Sequence, residues 1–143
     1  MGIIWNGKRL FDNKKPYKTL LISCFMVEEK DCIFCKIVNG EIPSEKTYED
    51  DNFIAFLDIN PKAEGHTVIV SKKHFRNLLD MPTTLGNEML DAVKNVALDL
   101  IKNGNAEGFN LVVNNEPAAG QIVFHAHCHI LPRKKDDGLK MLV

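Results

Sequence analysis

The chain has 143 residues, 45 % hydrophobic and 26 % charged, with a formal net charge of -1. That length holds one core of ordinary size and is short for two, and no apolar run is long enough to span a bilayer. A near-neutral chain has no polycationic face, so membrane-embedded and nucleic-acid-scaffold readings are disfavoured and any phosphate ligand must be held by local groups.

Residues 1–25 carry Lys8, Arg9, Lys14, Lys15 and Lys18 and run into "TLLISCF". The order is that of a weak signal peptide, yet the apolar run is short and no small-residue cleavage site follows. The segment reads instead as an N-terminal extension upstream of Met26, with one domain over 26–143 and a cytoplasmic location. "DCIFCKIVNGEIP" predicts a knuckle-like turn running into a short helix that stops near Gly40 and Pro43. "TYEDDNFIAFLD" predicts two strands joined by a turn over 49–52, and "GHTVIVS" a third, which together make an antiparallel meander. "LGNEMLDAVKNVALDLIKN" places Leu85, Met89, Val93, Val96 and Leu100 on one helical stripe ended by Gly104. "FNLVVNN" and "FHAHCHILP" return to strand on either side of "EPAAGQ", a turn with Pro117 and Gly120. Strands flanking one long helix predict an α+β domain with a mainly antiparallel sheet.

Of the four cysteines, Cys24, Cys32, Cys35 and Cys128, only Cys32 and Cys35 have a recognisable spacing. A single C-x-x-C is not a disulfide framework. It points to metal binding or redox work in a reducing compartment.

Three of the five histidines fall in "VFHAHCHILPR", residues 123–133. Side chains alternate along a strand, so His125, His127 and His129 share one face and Ala126, Cys128 and Ile130 the other. The second face is apolar and should pack on a helix, which leaves the imidazoles for solvent, a ligand or another subunit. Three in register are too many for neutral surface residues. They can hold a catalytic zinc with an open position, or one can be a nucleophile kept neutral by neighbours that bind its other nitrogen, and the surrounding residues favour the second.

"HAHCHIL", with "FLDINPKAEGHTVIVSKKH" upstream and "NLVVNNEPAAGQIVFH" before it, resembles the histidine triad (HIT) superfamily of nucleotide hydrolases and transferases. The likeness runs from about Cys32 to Arg133 and is greatest to the short, zinc-containing branch related to purine nucleoside phosphoramidases. It implies a five-stranded antiparallel sheet with one long and one short helix, joined to a second copy as a ten-stranded sheet in a homodimer. It implies that His127 attacks the α-phosphorus to give a covalent nucleotidyl-histidine that water hydrolyses, with His129 beside the phosphate and His66 in support. Asn114 and the backbone around Gly120 and Gln121 would complete the anion pocket, and Asp58 would hold the ribose hydroxyls. Phe34, Ile37, Ile42, Phe56 and Ile59 fall where the family builds its apolar base slot. Cys32, Cys35, His74 and His125 would form a closed Cys2His2 set around a structural zinc. One position departs from the pattern: Ile122 stands where many eukaryotic phosphoramidases have a serine that assists the leaving group. The substrate class implied is a purine nucleoside phosphoramidate or related nucleotidyl compound. A dinucleoside polyphosphate is the alternative within enzymology, and a nucleotide-binding sensor with vestigial chemistry the alternative outside it.

Overall fold

In a computed structural model of the chain, residues 4–5, 8–9 and 29–140 are described. Strands β1 (Ile4–Trp5) and β2 (Lys8–Arg9) pair antiparallel with each other. The apolar stretch 19–25, with Cys24, and the start expected at Met26 lie outside the described residues.

The domain then runs α1 (Ile33–Val38), β3 (Lys46–Glu49), β4 (Phe53–Leu57), β5 (Thr67–Ser71), α2 (Gly86–Lys102), β6 (Gly108–Val112) and β7 (His127–Arg133). The expected meander is present, and its first turn is closed by Asp50, whose Oδ1 accepts the amides of Asn52 and Phe53 at 2.9 and 2.6 Å. Five strands make one antiparallel sheet in the order β3-β4-β5-β7-β6. The last strand therefore inserts beside β5 and leaves β6 at the edge. That insertion puts the histidine-bearing strand inside the sheet, where both its faces can be covered.

Register assigns the faces. Val70 lies opposite His127 and Val68 opposite His129, while Ile54 and Phe56 lie opposite Val70 and Val68 on the next strand. These apolar residues share the histidine face, and α1 lies over them with Phe34, Ile37 and Val38. The other face, with Phe53, Ala55, Ile69, Cys128 and Ile130, packs on Ala92, Val93, Val96 and Leu100 of α2. This is the stripe expected from the 3.6-residue period, and burial of each such aliphatic side chain contributes roughly 1.5–3 kcal/mol. Burial pushes the Cys128 thiol up to about 12, so it stays protonated as a core residue.

Two local features differ from the expectation. The strand begins at His127, so His125 precedes it in a bend where its own amide donates to the Val123 carbonyl at 2.9 Å and that of Ala126 to Phe75 at 2.6 Å. The cysteine pair is not in a turn ahead of the helix. Cys32 caps α1 and Cys35 lies within its first turn, so the i, i+3 spacing of a helix brings both thiols to one side.

Candidate active site and metal centre

Four side chains from three segments converge at the N-terminus of α1. Cys32 and Cys35 come from the helix, His74 from the segment after β5 and His125 from the bend before β7, and all four ligand atoms lie within 4.8 Å of one another. Cys32 Sγ is 3.4 Å from His125 Nδ1, and Cys35 Sγ is 3.2 Å from His74 Nδ1 and 3.5 Å from His125 Nδ1. Zinc bound tetrahedrally to sulfur and nitrogen would hold such atoms ~3.5 Å apart. The backbone prepares one of the ligands: His125 Nε2–H donates to the Ser71 carbonyl at 2.7 Å, which leaves the Nδ1 lone pair facing the thiols. His125 is 0 % exposed, and its burial lowers its pKa to about 4, so the ring is neutral as a ligand must be. Cys32 and Cys35 are not joined in a disulfide. The residues fit a closed Cys2His2 metal centre with no open position.

Two residues on, His127 is wired the opposite way. Its Nδ1–H donates to the His125 carbonyl at 2.5 Å, and Nε2 is left with its lone pair. Burial lowers the pKa against the opposing effect of that hydrogen bond, so the ring is neutral near pH 7. The rings of Phe34 and His129 stand edge-on to it, with centroids at 5.1 and 5.2 Å. A neutral imidazole oriented through one nitrogen and free at the other is the arrangement a nucleophile needs.

His129 is controlled from behind. The Lys62 amide donates to His66 Nδ1 at 3.2 Å, which places the His66 proton on Nε2, and Nε2 lies 2.9 Å from His129 Nδ1. His129 Nδ1 therefore accepts, and its remaining N–H is Nε2. The result is a neutral ring that presents a donor. Burial holds both rings low, His129 at about 4. The Asp58 carboxylate sits 3.5 Å from His66 Nε2 and 3.7 Å from His129 Nδ1 through Oδ2, while its Oδ1 accepts the Asn60 amide at 2.8 Å. Asp58, His66 and His129 are close enough together to suggest a second metal site. The hydrogen bonds argue otherwise, because His66 can ligate through Nε2 only by moving its proton to Nδ1, where the Lys62 amide already points.

Between β6 and β7, Gly120 takes φ 84°, a left-handed backbone that favours glycine, and a Cβ there would come 3.9 Å from Asn114 Nδ2. The amides of Gly120 and Gln121 donate to the carbonyls of Pro117 and Glu116 at 3.0 and 3.2 Å. Gln121 is 4 % exposed and its side chain is spent inside the loop, on the Glu116 amide and the carbonyls of Arg76 and Val123. The next two amides, of Ile122 and Val123, make no hydrogen bond among the described residues, and nothing in their side chains marks them as donors. The Ile122 side chain is 88 % exposed.

The apolar residues divide. Phe34 meets Phe56 edge to face at 5.7 Å, and with Ile37 they belong to the cluster on the histidine face. Ile42 is half-buried just beyond α1, with its amide donating to the Lys36 carbonyl at 3.3 Å. Ile59 is 87 % exposed and stands outside that cluster.

Comparison with known proteins places this geometry among relatives. The HIT domain family model matches residues 39–136. The chain is 43 % identical over 111 residues to adenylylsulfatase HINT3 of Arabidopsis thaliana, covering 78 % of this chain and 56 % of that protein. It is 39 % identical over 115 residues to adenosine 5'-monophosphoramidase HNT1 of Candida albicans, covering 78 % and 76 %. A Zn-bound histidine triad family protein from Mycobacterium smegmatis superposes with a TM-score of 0.75 at 37 % identity, covering 79 % of this chain and 82 % of that one.

Proposed function

The chain belongs to the HIT domain family and is a nucleotide hydrolase of that family, and from this we propose that it cleaves nucleoside phosphoramidates or related nucleotidyl compounds at the α-phosphorus through a nucleotidyl-His127 intermediate. One observation carries the proposal: His127 Nδ1–H is bound to the His125 carbonyl, so a neutral Nε2 is free in a ring that takes no part in the metal centre. Nε2 attacks phosphorus as the bond to the leaving group breaks, and water then attacks the phosphorus to release nucleotide and regenerate the ring. His129 donates from Nε2–H to a phosphate oxygen, with Asn114 and the open amides of Ile122 and Val123 as further donors. With Ile122 in place of a hydroxyl and His129 a neutral ring, the leaving group takes its proton from water. Asp58 keeps unused lone pairs for ribose hydroxyls, and Phe34, Ile37 and Phe56 offer the apolar side of a base slot. Adenine or guanine both suit such a slot.

Zinc is the metal that suits Cys32, Cys35, His74 and His125, and its role there is structural: it joins α1, the His74 segment and the bend before His127. A homodimer is the favoured assembly. Leu90, Leu98 and Ile101 of α2 and Phe109 and Leu111 of the edge strand β6 are apolar and exposed, as two surfaces used between copies would be. Light scattering on a sizing column tests that with a mass twice that of the chain.

The relatives named as an adenylylsulfatase and an adenosine 5'-monophosphoramidase support a small leaving group over a second nucleotide. The experiment is a comparison of catalytic efficiency on adenosine 5'-phosphoramidate, adenylylsulfate and a diadenosine polyphosphate. Either of the first two should exceed the third by at least about tenfold, a difference of ~1.4 kcal/mol in transition-state binding. A preference for the diadenosine compound would replace this reading with polyphosphate hydrolysis.

A further inference from the structure

The turn leading to β7 holds a strained residue at its start. Glu116 has φ 70° and ψ 158°, a backbone region that residues with a side chain occupy only when their surroundings over-determine it. Here they do. Arg76 donates to the Glu116 carboxylate through Nε at 3.1 Å and Nη2 at 2.8 Å, and Asn77 Nδ2 adds a third bond at 2.6 Å. The Glu116 amide donates to Gln121 Oε1 at 2.8 Å, and Gln121 Nε2 returns to the Arg76 carbonyl at 2.7 Å. Asn77 is 2 % exposed, and the Arg76 guanidinium lies 4.4 Å from the ring centre of Phe124. Both carboxylate oxygens are occupied by protein groups, so Glu116 acts through the loop and not on a ligand.

We propose that Glu116 and Arg76 are positioning residues: their two-pronged pair holds the 117–123 turn in its ligand-binding shape before nucleotide arrives. The proposal rests on the reading of that turn as the phosphate cradle. Amides left unpaired for a ligand, such as those of Ile122 and Val123, are kept available only if the chain around them cannot relax onto other partners. A forked guanidinium on a carboxylate is directional enough for this, and Lys would not reproduce it. The strain at Glu116 is then the sign of a shape imposed from outside the turn.

Two measurements on the zinc-loaded full chain decide it: calorimetric binding of adenosine 5'-monophosphate, and amide exchange at Gly120 and Gln121 without ligand. In Arg76→Ala the dissociation constant should rise about tenfold, KM should rise more than kcat falls, and exchange at both amides should quicken about tenfold with Ile130 unchanged. Arg76→Lys should recover only part of the binding. Glu116→Gly separates shape from stability, because relief of the backbone strain offsets part of the lost hydrogen bonds: its melting temperature should drop less than that of Arg76→Ala, yet binding should weaken as in Arg76→Ala. Wild-type binding and exchange in Glu116→Gly would overturn the proposal even if Arg76→Ala failed to fold. A wild-type chain that binds no adenosine 5'-monophosphate would instead sink the nucleotide reading, and the ligand-free exchange would still decide the latch.

Discussion

His125 and His127 are two residues apart, yet they do different work because the backbone takes a different nitrogen from each. At His125, a ring with no exposure to solvent, the Ser71 carbonyl holds Nε2, so Nδ1 faces two thiols. At His127 the carbonyl of His125 itself holds Nδ1, so Nε2 is free. Ring chemistry is the same in both places. What differs is which lone pair the main chain leaves over, and that is set by the bend that keeps His125 out of β7. The proposed metal centre therefore sits upstream of the proposed nucleophile in a literal sense, since the residue it would anchor supplies the carbonyl that orients His127.

The largest effect expected from breaking this pair of arrangements is at His127. His127→Ala should lower turnover by about a thousandfold or more while leaving the melting temperature within a few degrees, measured by single-turnover kinetics and calorimetry. At the other end the order reverses. Removal of metal by a chelator, or Cys32→Ser, should lower the melting temperature by about 10 °C or more, with a smaller loss of chemistry per folded molecule. Equal loss of both, restored in proportion to added zinc, would make the metal catalytic.

The middle of the scale belongs to His66. His66→Ala removes the N–H that fixes the His129 proton on Nε2, and kcat should fall roughly 10- to 100-fold, the range seen when a supporting hydrogen bond to a functional histidine is lost. His66→Gln, which can still donate, should recover part of that loss. No recovery would show that His66 does more than fix a tautomer.

The smallest effect is on acid stability. His129 is held at about 4 by burial against 6.5 for a free imidazole, and His66 is shifted in the same direction. The unfolded chain then binds more protons below pH 6.5, so stability is fully present above that value and is lost as pH falls towards 4. Denaturant titrations over that window should show the decline, and His129→Asn should flatten it. His125 behaves alike only when no metal holds it.

Much of this was legible in the residues. The stripe from Met89 to Leu100 and the apolar, branched runs of β4 and β5 bounded by turn residues report simple burial, so the sheet and α2 follow directly from pattern. The four residues that could hold a metal and the histidine row stand out in the sequence because their side chains carry the chemistry. What could not be read depends on the backbone or on distant contacts. The histidine alternation runs through His125 in the sequence, but the chain bends there to bring its ring to the thiols. The Gln121 side chain bonds to the Glu116 amide and to the carbonyls of Arg76 and Val123, contacts that no local pattern announces. The Glu116–Arg76 pair joins residues 40 positions apart, and no local signal marks a glutamate at positive φ. The donors proposed at Ile122 and Val123 are main-chain amides, which every residue has.

The most direct test of the account is to mix the protein with an adenylyl donor labelled at the α-phosphorus, quench within the first turnover in base, and map the label. Base-stable label is expected on His127, and none in His127→Ala. Turnover at the parent rate in that variant, or label on another residue, would contradict it.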